Sequence, residues 1–124
     1  MLDFSYLKLN NKDPVYIQLS QYVKRQILLK NATNGDELPS RRELALQLNI
    51  NPNTVQKAYK LMEEQGFVIT KSNQGSYIYT DEYIYSKIKT ELTHDMVAEF
   101  IKSAKEINMS FKQVIDLISQ LWDE

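Results

Sequence analysis

Two helix-start signals lie so close together in this chain that only a short helix and a tight turn fit between them. Ser40-Arg41-Arg42-Glu43 has the form of a capping box, in which the first hydroxyl accepts from the fourth amide and the fourth carboxylate reaches back to the first amide. Asn51-Pro52 is the second signal: asparagine is a good N-cap, and proline suits the first helical position, where no donor is needed. The spacing predicts a helix from Arg41 to about Leu48, a turn at Asn49-Ile50-Asn51, and a helix from Pro52 to about Gln65 that Gly66 ends in a left-handed conformation. Leu44, Ala45, Leu48, Ile50, Val55, Ala58 and Leu61 are its expected core positions, with the small Ala45 where two steeply crossing helices come closest. That is the pattern of a helix-turn-helix.

The flanking segments extend it. Asp13-Pro14 opens an earlier helix, with Asp13 as cap and Pro14 as first helical residue, running to about residue 30 with Tyr16, Ile17, Leu19, Val23, Ile27 and Leu28 on one apolar face. Residues 1–12 read as an arm, and Asn31 to Leu38 collects turn formers around Gly35. Phe67 to Lys71 and Ser76 to Thr80 are β-branched and aromatic runs about a Ser72-Asn73-Gln74-Gly75 turn, a hairpin signature. A lone hairpin is marginally stable, so it is expected to pack on the helices as a wing. The fold class is thus mainly α with a small β-hairpin: a winged helix-turn-helix over residues 1–80.

Residues 81–124 read as a helical tail. Asp81 caps a helix with Ile84, Ile88, Leu92, Met96, Val97, Phe100, Ile101 and Ala104 in a broad stripe. Ser110 and Gln113 form another capping box, followed by Phe111, Val114, Ile115, Ile118 and Leu121 up to Trp122. So short a pair of helices cannot bury both stripes by itself, and a partner surface is expected.

Composition narrows the chemistry. Lys and Arg outnumber Asp and Glu by ten to seven over residues 1–80, while over 81–124 five face nine. A polyanion is therefore expected to meet the first two thirds of the chain. There is no cysteine, which excludes disulfides, thiol catalysis and thiolate zinc sites. The sole histidine, His94, lies among Glu91, Asp95 and Glu99, read as solvent-facing charges rather than metal ligands. With no phosphate-binding glycine pattern and no evident catalytic constellation, no enzyme activity, cofactor or metal is expected. The start of the chain lacks the basic and apolar runs of a signal peptide, and no apolar run is long enough to span a bilayer, so a cytoplasmic protein is expected. The tail's polar face is acidic, which disfavours attachment to anionic lipid.

Four ordered blocks carry a family resemblance: Pro14-Val15-Tyr16-Ile17-Gln18; the run from Gly35-Asp36-Glu37-Leu38-Pro39-Ser40 through Arg42 and Leu44-Ala45 to Leu48; Thr54-Val55-Gln56-Lys57-Ala58-Tyr59-Lys60-Leu61; and Gln74-Gly75-Ser76. Over residues 13 to 80 the chain resembles the GntR family of bacterial regulators. Its Asn51-Pro52-Asn53-Thr54-Val55 run and short tail resemble the YtrA subfamily, in which a compact dimerisation element replaces a large effector domain. The resemblance implies a homodimeric, DNA-binding regulator, a repressor of a transporter operon, that reads a two-fold symmetric operator in double-stranded DNA. It names no small-molecule effector. Pro52 and Gln56 stand where many members carry arginine or a hydroxyl residue, so base preference must come from this chain's own residues.

In such a fold the second helix enters the major groove with its N-terminal residues toward base edges. Asn51, Asn53, Thr54, Gln56 and Lys57 are the candidates there, with Gln56 and Asn53 suited to adenine, Lys57 to phosphate or guanine, and Thr54 with free helix amides to phosphate. Arg42, which matches the family arginine, is the strongest single contact, with Arg41 beside it. On the wing, Lys71, Ser72, Gln74 and Gly75 are expected near the backbone and minor groove. The expected dimer surface comprises Tyr85, Ile88, Leu92, Met96, Phe100, Phe111, Ile115, Ile118 and Trp122. Tyr77, Tyr79, Tyr83 and Tyr85 suit wing and dimer packing better than base stacking. The competing reading is a winged-helix protein-interaction module without sequence-specific DNA binding.

Overall fold

In the computed structural model, which describes residues 1–124, the elements run α1 (Val15–Leu28), α2 (Arg41–Leu48), α3 (Pro52–Glu64), β1 (Val68–Lys71), β2 (Gly75–Ile78), α4 (Glu82–Glu106) and α5 (Phe111–Leu121). They form two compact units, Met1–Ile88 and Lys89–Glu124. The first unit runs past the expected limit at residue 80 because the start of α4 belongs to it. Ile88 is only 3% exposed, and the Tyr85 hydroxyl donates to the Leu28 carbonyl at the end of α1.

Within that unit, Leu19, Val23 and Ile27 of α1 recur at four-residue steps and are buried with Leu44 and Ala45 of α2 and Val55, Ala58, Tyr59 and Met62 of α3. Each large apolar side chain so covered contributes about 1.5–3 kcal/mol. Met62, not the expected Leu61, completes the α3 stripe: Leu61 is half-buried, one residue off the 55, 58, 59, 62 line. Phe67, Val68 and Ile78 anchor the hairpin to this core.

The sheet is antiparallel, with Val68 opposite Ile78 and Lys71 opposite Gly75. Its turn needs left-handed backbone, supplied by Asn73 at φ 62 and Gly75 at φ 101. The segment read as a collection of turn formers also pairs with β2. Gly35 donates to the Ile78 carbonyl, Ile78 to that of Asp36, and Leu38 to that of Ser76, which protects the sheet edge.

Two expectations at the N-terminus are corrected. Pro14, not Asp13, is the N-cap of α1, and no side chain caps it. Instead Gln18, one turn in, turns back: its amide donates to the carbonyls of Asn10 (2.9 Å) and Asp13 (2.7 Å), and its oxygen accepts from the Asn10 amide (2.9 Å). Residues 1–12 are likewise no free arm. Phe4 is 1% exposed and Leu2 is buried, Phe4 packs on Tyr22 with ring centroids 5.3 Å apart, and the Tyr22 hydroxyl donates to the Asp3 carbonyl at 2.7 Å. Alternating apolar residues too few to read as a strand thus serve as a lid on the core.

The second unit holds the rest of α4 and α5. Asn108, at φ 62, turns the chain, and the Ser110–Gln113 capping box forms as expected. No residue of α5 is buried. No helix is long and apolar enough to cross a membrane.

Phe4→Ala is expected to destabilise the protein by about 3–5 kcal/mol. Urea unfolding measures it, and a change near zero would restore the free-arm reading.

Candidate nucleic-acid interface

Both caps of the helix-turn-helix form. The Ser40 hydroxyl accepts from the Glu43 amide at 3.1 Å while the Glu43 carboxylate accepts from the Ser40 amide at 3.2 Å. Asn49 takes φ 54 to end α2, and the Ile50 amide donates to the Ala45 carbonyl at 3.0 Å. At the start of α3 the Asn51 side chain accepts from the Asn53 amide at 2.8 Å, and the Thr54 amide donates to the Asn51 carbonyl at 3.0 Å. Proline has no amide to offer. The free helix amides expected at this end are therefore already engaged, and Asn51 acts as a cap, leaving only its amide nitrogen to donate outward.

α3 is sharply two-faced. Val55, Ala58, Tyr59 and Met62 are buried, whereas Asn53, Gln56, Lys57 and Lys60 are exposed at three- and four-residue steps on the other side. Amide, amide, ammonium and ammonium make a surface that can donate to and accept from base edges while attracting phosphate. Lys60 was not among the expected residues, although its spacing of four from Gln56 and seven from Asn53 places it on the same stripe. Thr54 is half-buried beside it.

The two arginines of α2 differ. Arg42 is exposed and makes no hydrogen bond or ion pair within the chain. Arg41 is drawn inward: its guanidinium lies 5.0 Å from the Tyr59 ring centroid and 3.4 Å from the Glu63 carboxylate. Of the two, Arg41 is thus the one already engaged within the chain, stacked on a ring and paired with an acid, and Arg42 the free cation. Glu63 also accepts from the Thr70 hydroxyl at 2.5 Å, and Thr70 meets the buried Ser76 hydroxyl at 2.7 Å. These bonds join the far end of α3 to both strands of the wing.

At the wing tip, residues 71–75 are all exposed. The Lys71 ammonium lies 5.2 Å from the Tyr77 ring centroid, and the Tyr77 hydroxyl donates to the Gln74 carbonyl at 2.5 Å, so the tyrosine braces the turn from below. A Cβ at Gly75 would meet nothing closer than 3.7 Å; glycine is there for its positive φ rather than for want of space.

Tyr59 locks α3 in place. Its hydroxyl donates to the Pro39 carbonyl at 2.6 Å, and burial pushes its phenol well above its ordinary value. In the tail, Ile88 is covered within the chain and Tyr85 is bonded to α1 and lies under Lys30. Ile88 is thereby taken out of the expected dimer surface, while Tyr85 stays half-buried. Leu92 is half-buried, while Met96, Phe100, Phe111, Ile115, Ile118 and Trp122 are exposed.

Comparison with known proteins bears on this arrangement. The family model described as bacterial regulatory proteins, gntR family, matches residues 15–78. The uncharacterized HTH-type transcriptional regulator YhcF of Bacillus subtilis is 34% identical over 103 residues, 83% of this chain and 85% of the relative. The HTH-type transcriptional repressor YtrA of the same organism is 46% identical over 65 residues, 52% of this chain and half of its own length. A GntR family transcriptional regulator from Listeria monocytogenes has a similar structure, with a TM-score of 0.80 at 26% identity over 91% of this chain and 99% of that one.

Tyr59→Phe provides a pH test of the lock. The unfolded phenol ionises near 10.0 and the folded one higher, so the native state holds this proton more tightly. Its contribution is complete below about pH 10 and is lost as pH rises beyond it. Stability of the native sequence is expected to fall above that pH, and to fall less steeply in Tyr59→Phe. Thermal melts across the alkaline range measure this; equal slopes would show that Tyr59 ionises freely in the folded state.

Proposed function

Because the chain belongs to the GntR family of bacterial regulatory proteins, whose members are DNA-binding transcriptional regulators, we propose that it acts as a homodimer on a two-fold symmetric operator. The observation that carries this is the division of α3 into a buried apolar stripe and an exposed stripe of Asn53, Gln56, Lys57 and Lys60. Placed in a major groove about 12 Å wide, that stripe is the only face α3 has to offer. Gln56 and Asn53 read base edges, Lys57 and Lys60 meet phosphate, Arg42 holds the backbone from α2, and Lys71 with Gln74 flanks the minor groove.

The dimer is built by the tail. Phe111 is 81% and Trp122 80% exposed, with Met96, Phe100, Ile115 and Ile118 also uncovered. Apolar surface on this scale on a short helical segment marks an interface, and a two-fold axis through it gives two recognition helices on related half-sites. The similar YtrA is named a repressor, which supports repression; the proposed control of a transporter operon rests on the sequence resemblance to the YtrA subfamily.

Selection from random duplex DNA is expected to recover an inverted repeat, bound less tightly as salt rises. Arg42→Ala should weaken binding to that duplex by about 1–3 kcal/mol with its melting temperature unchanged. A folded protein that enriches no sequence would leave the protein-interaction reading in its place. For the tail, Phe111→Asp is expected to convert the dimer to a monomer in sedimentation. A dimer that persists would move the interface elsewhere.

A further inference from the structure

Lys57 does not project freely from α3. Its ammonium lies 4.0 Å from the centroid of the Tyr16 ring, the shortest of the cation–aromatic contacts in the chain. Tyr16 is the second residue of α1 and is half-buried. Gln18, two residues on, clamps the backbone at Asn10 and Asp13 just ahead of it, so the ring stands on a fixed first turn.

We infer that Tyr16 is a positioning residue for DNA binding: its ring holds the Lys57 ammonium where it meets a backbone phosphate. This rests on the reading of α3 as the recognition helix. Two physical points support it. First, a free lysine side chain has many rotamers to lose on contact with a phosphate, and a partner that restricts them beforehand lowers the cost of binding. Second, the choice of partner matters. Arg41 is paired with the carboxylate of Glu63, which cancels the charge a phosphate would seek. An aromatic face attracts a cation without neutralising it, and an ammonium with three donors can rest one side on a ring while turning the others outward. Both side chains lie over a ring, Arg41 over Tyr59 and Lys57 over Tyr16, but only Arg41 also meets a carboxylate, so Lys57 is the one whose charge is left for a phosphate.

The test uses the full-length protein and the tightest duplex recovered by selection. Lys57→Ala is expected to weaken binding about tenfold and to reduce the slope of log affinity against log salt by about one. Tyr16→Leu should cost about three- to fivefold, and Tyr16→Phe, which keeps the ring, less than about twofold. Tyr16→Leu combined with Lys57→Ala should bind no worse than Lys57→Ala alone, since the ring acts only through the lysine. In the free protein, the Lys57 ε-methylene protons should resonate upfield under the ring current, a readout that does not depend on the Leu variant folding. Unshifted resonances, wild-type affinity in folded Tyr16→Leu, or additive losses in the double variant would each overturn the inference. Equal losses in Tyr16→Phe and Tyr16→Leu would do so too, by assigning the effect to the hydroxyl. If Lys57→Ala binds like the native protein, the inference falls while the Arg42→Ala result still decides the proposed function.

Discussion

The bond from the Tyr59 hydroxyl to the Pro39 carbonyl ties the middle of α3 to the residue just before the α2 cap. The apolar stripe of Val55, Ala58, Tyr59 and Met62 turns one side of α3 to the core and leaves Asn53, Gln56, Lys57 and Lys60 outward. Hydrophobic burial has no direction of its own, and the buried hydroxyl adds one, fixing how α3 sits against the start of α2. Arg41 over the same ring and Glu63 bonded to Thr70 carry the constraint to α2 and to the wing.

The N-terminal residues join the same scheme. Gln18 holds the chain entering α1 through the backbone of Asn10 and Asp13, and Phe4 closes the core beneath Tyr22. The blocks that carry the family resemblance therefore divide by task. Gln18, Tyr59 and Gly75 shape the backbone, while Arg42 and the exposed stripe of α3 stay available to a partner. The acidic excess is confined to the tail, away from the sequence segments that bear the DNA-facing candidates, so the near-zero net charge of the whole is compatible with a polyanionic partner.

Local signals made most of the secondary structure legible. The Ser40, Asn51 and Ser110 caps, the turn at Asn49-Ile50-Asn51, the left-handed stop at Gly66, and the alternation through the hairpin act within a few residues, and each appears where its sequence placed it. The Asp13-Pro14 pair places the start of α1 one position early: Pro14 is the N-cap with no side chain capping it, and Gln18 instead ties down the chain that leads in. The N-terminal lid could not be read, since Leu2 and Phe4 are meaningful only against Tyr22 and Glu37, residues distant in sequence.

The candidate site divides the same way. Sequence by itself determined that α3 has a polar stripe and that the tail has more apolar surface than it can bury, because periodicity alone specifies both. Only the tertiary structure decided which neighbouring cations remain free. Arg41 and Arg42 are adjacent and identical in chemistry, yet one meets Tyr59 and Glu63 while the other meets solvent. Lys57 and Tyr16 are brought together by two helices far apart in the chain. Ile88 and Met96 share a sequence stripe, but the first is already covered and the second is not. Helical spacing tells which residues share a face; what lies against that face is a matter of packing between elements, which no local pattern encodes.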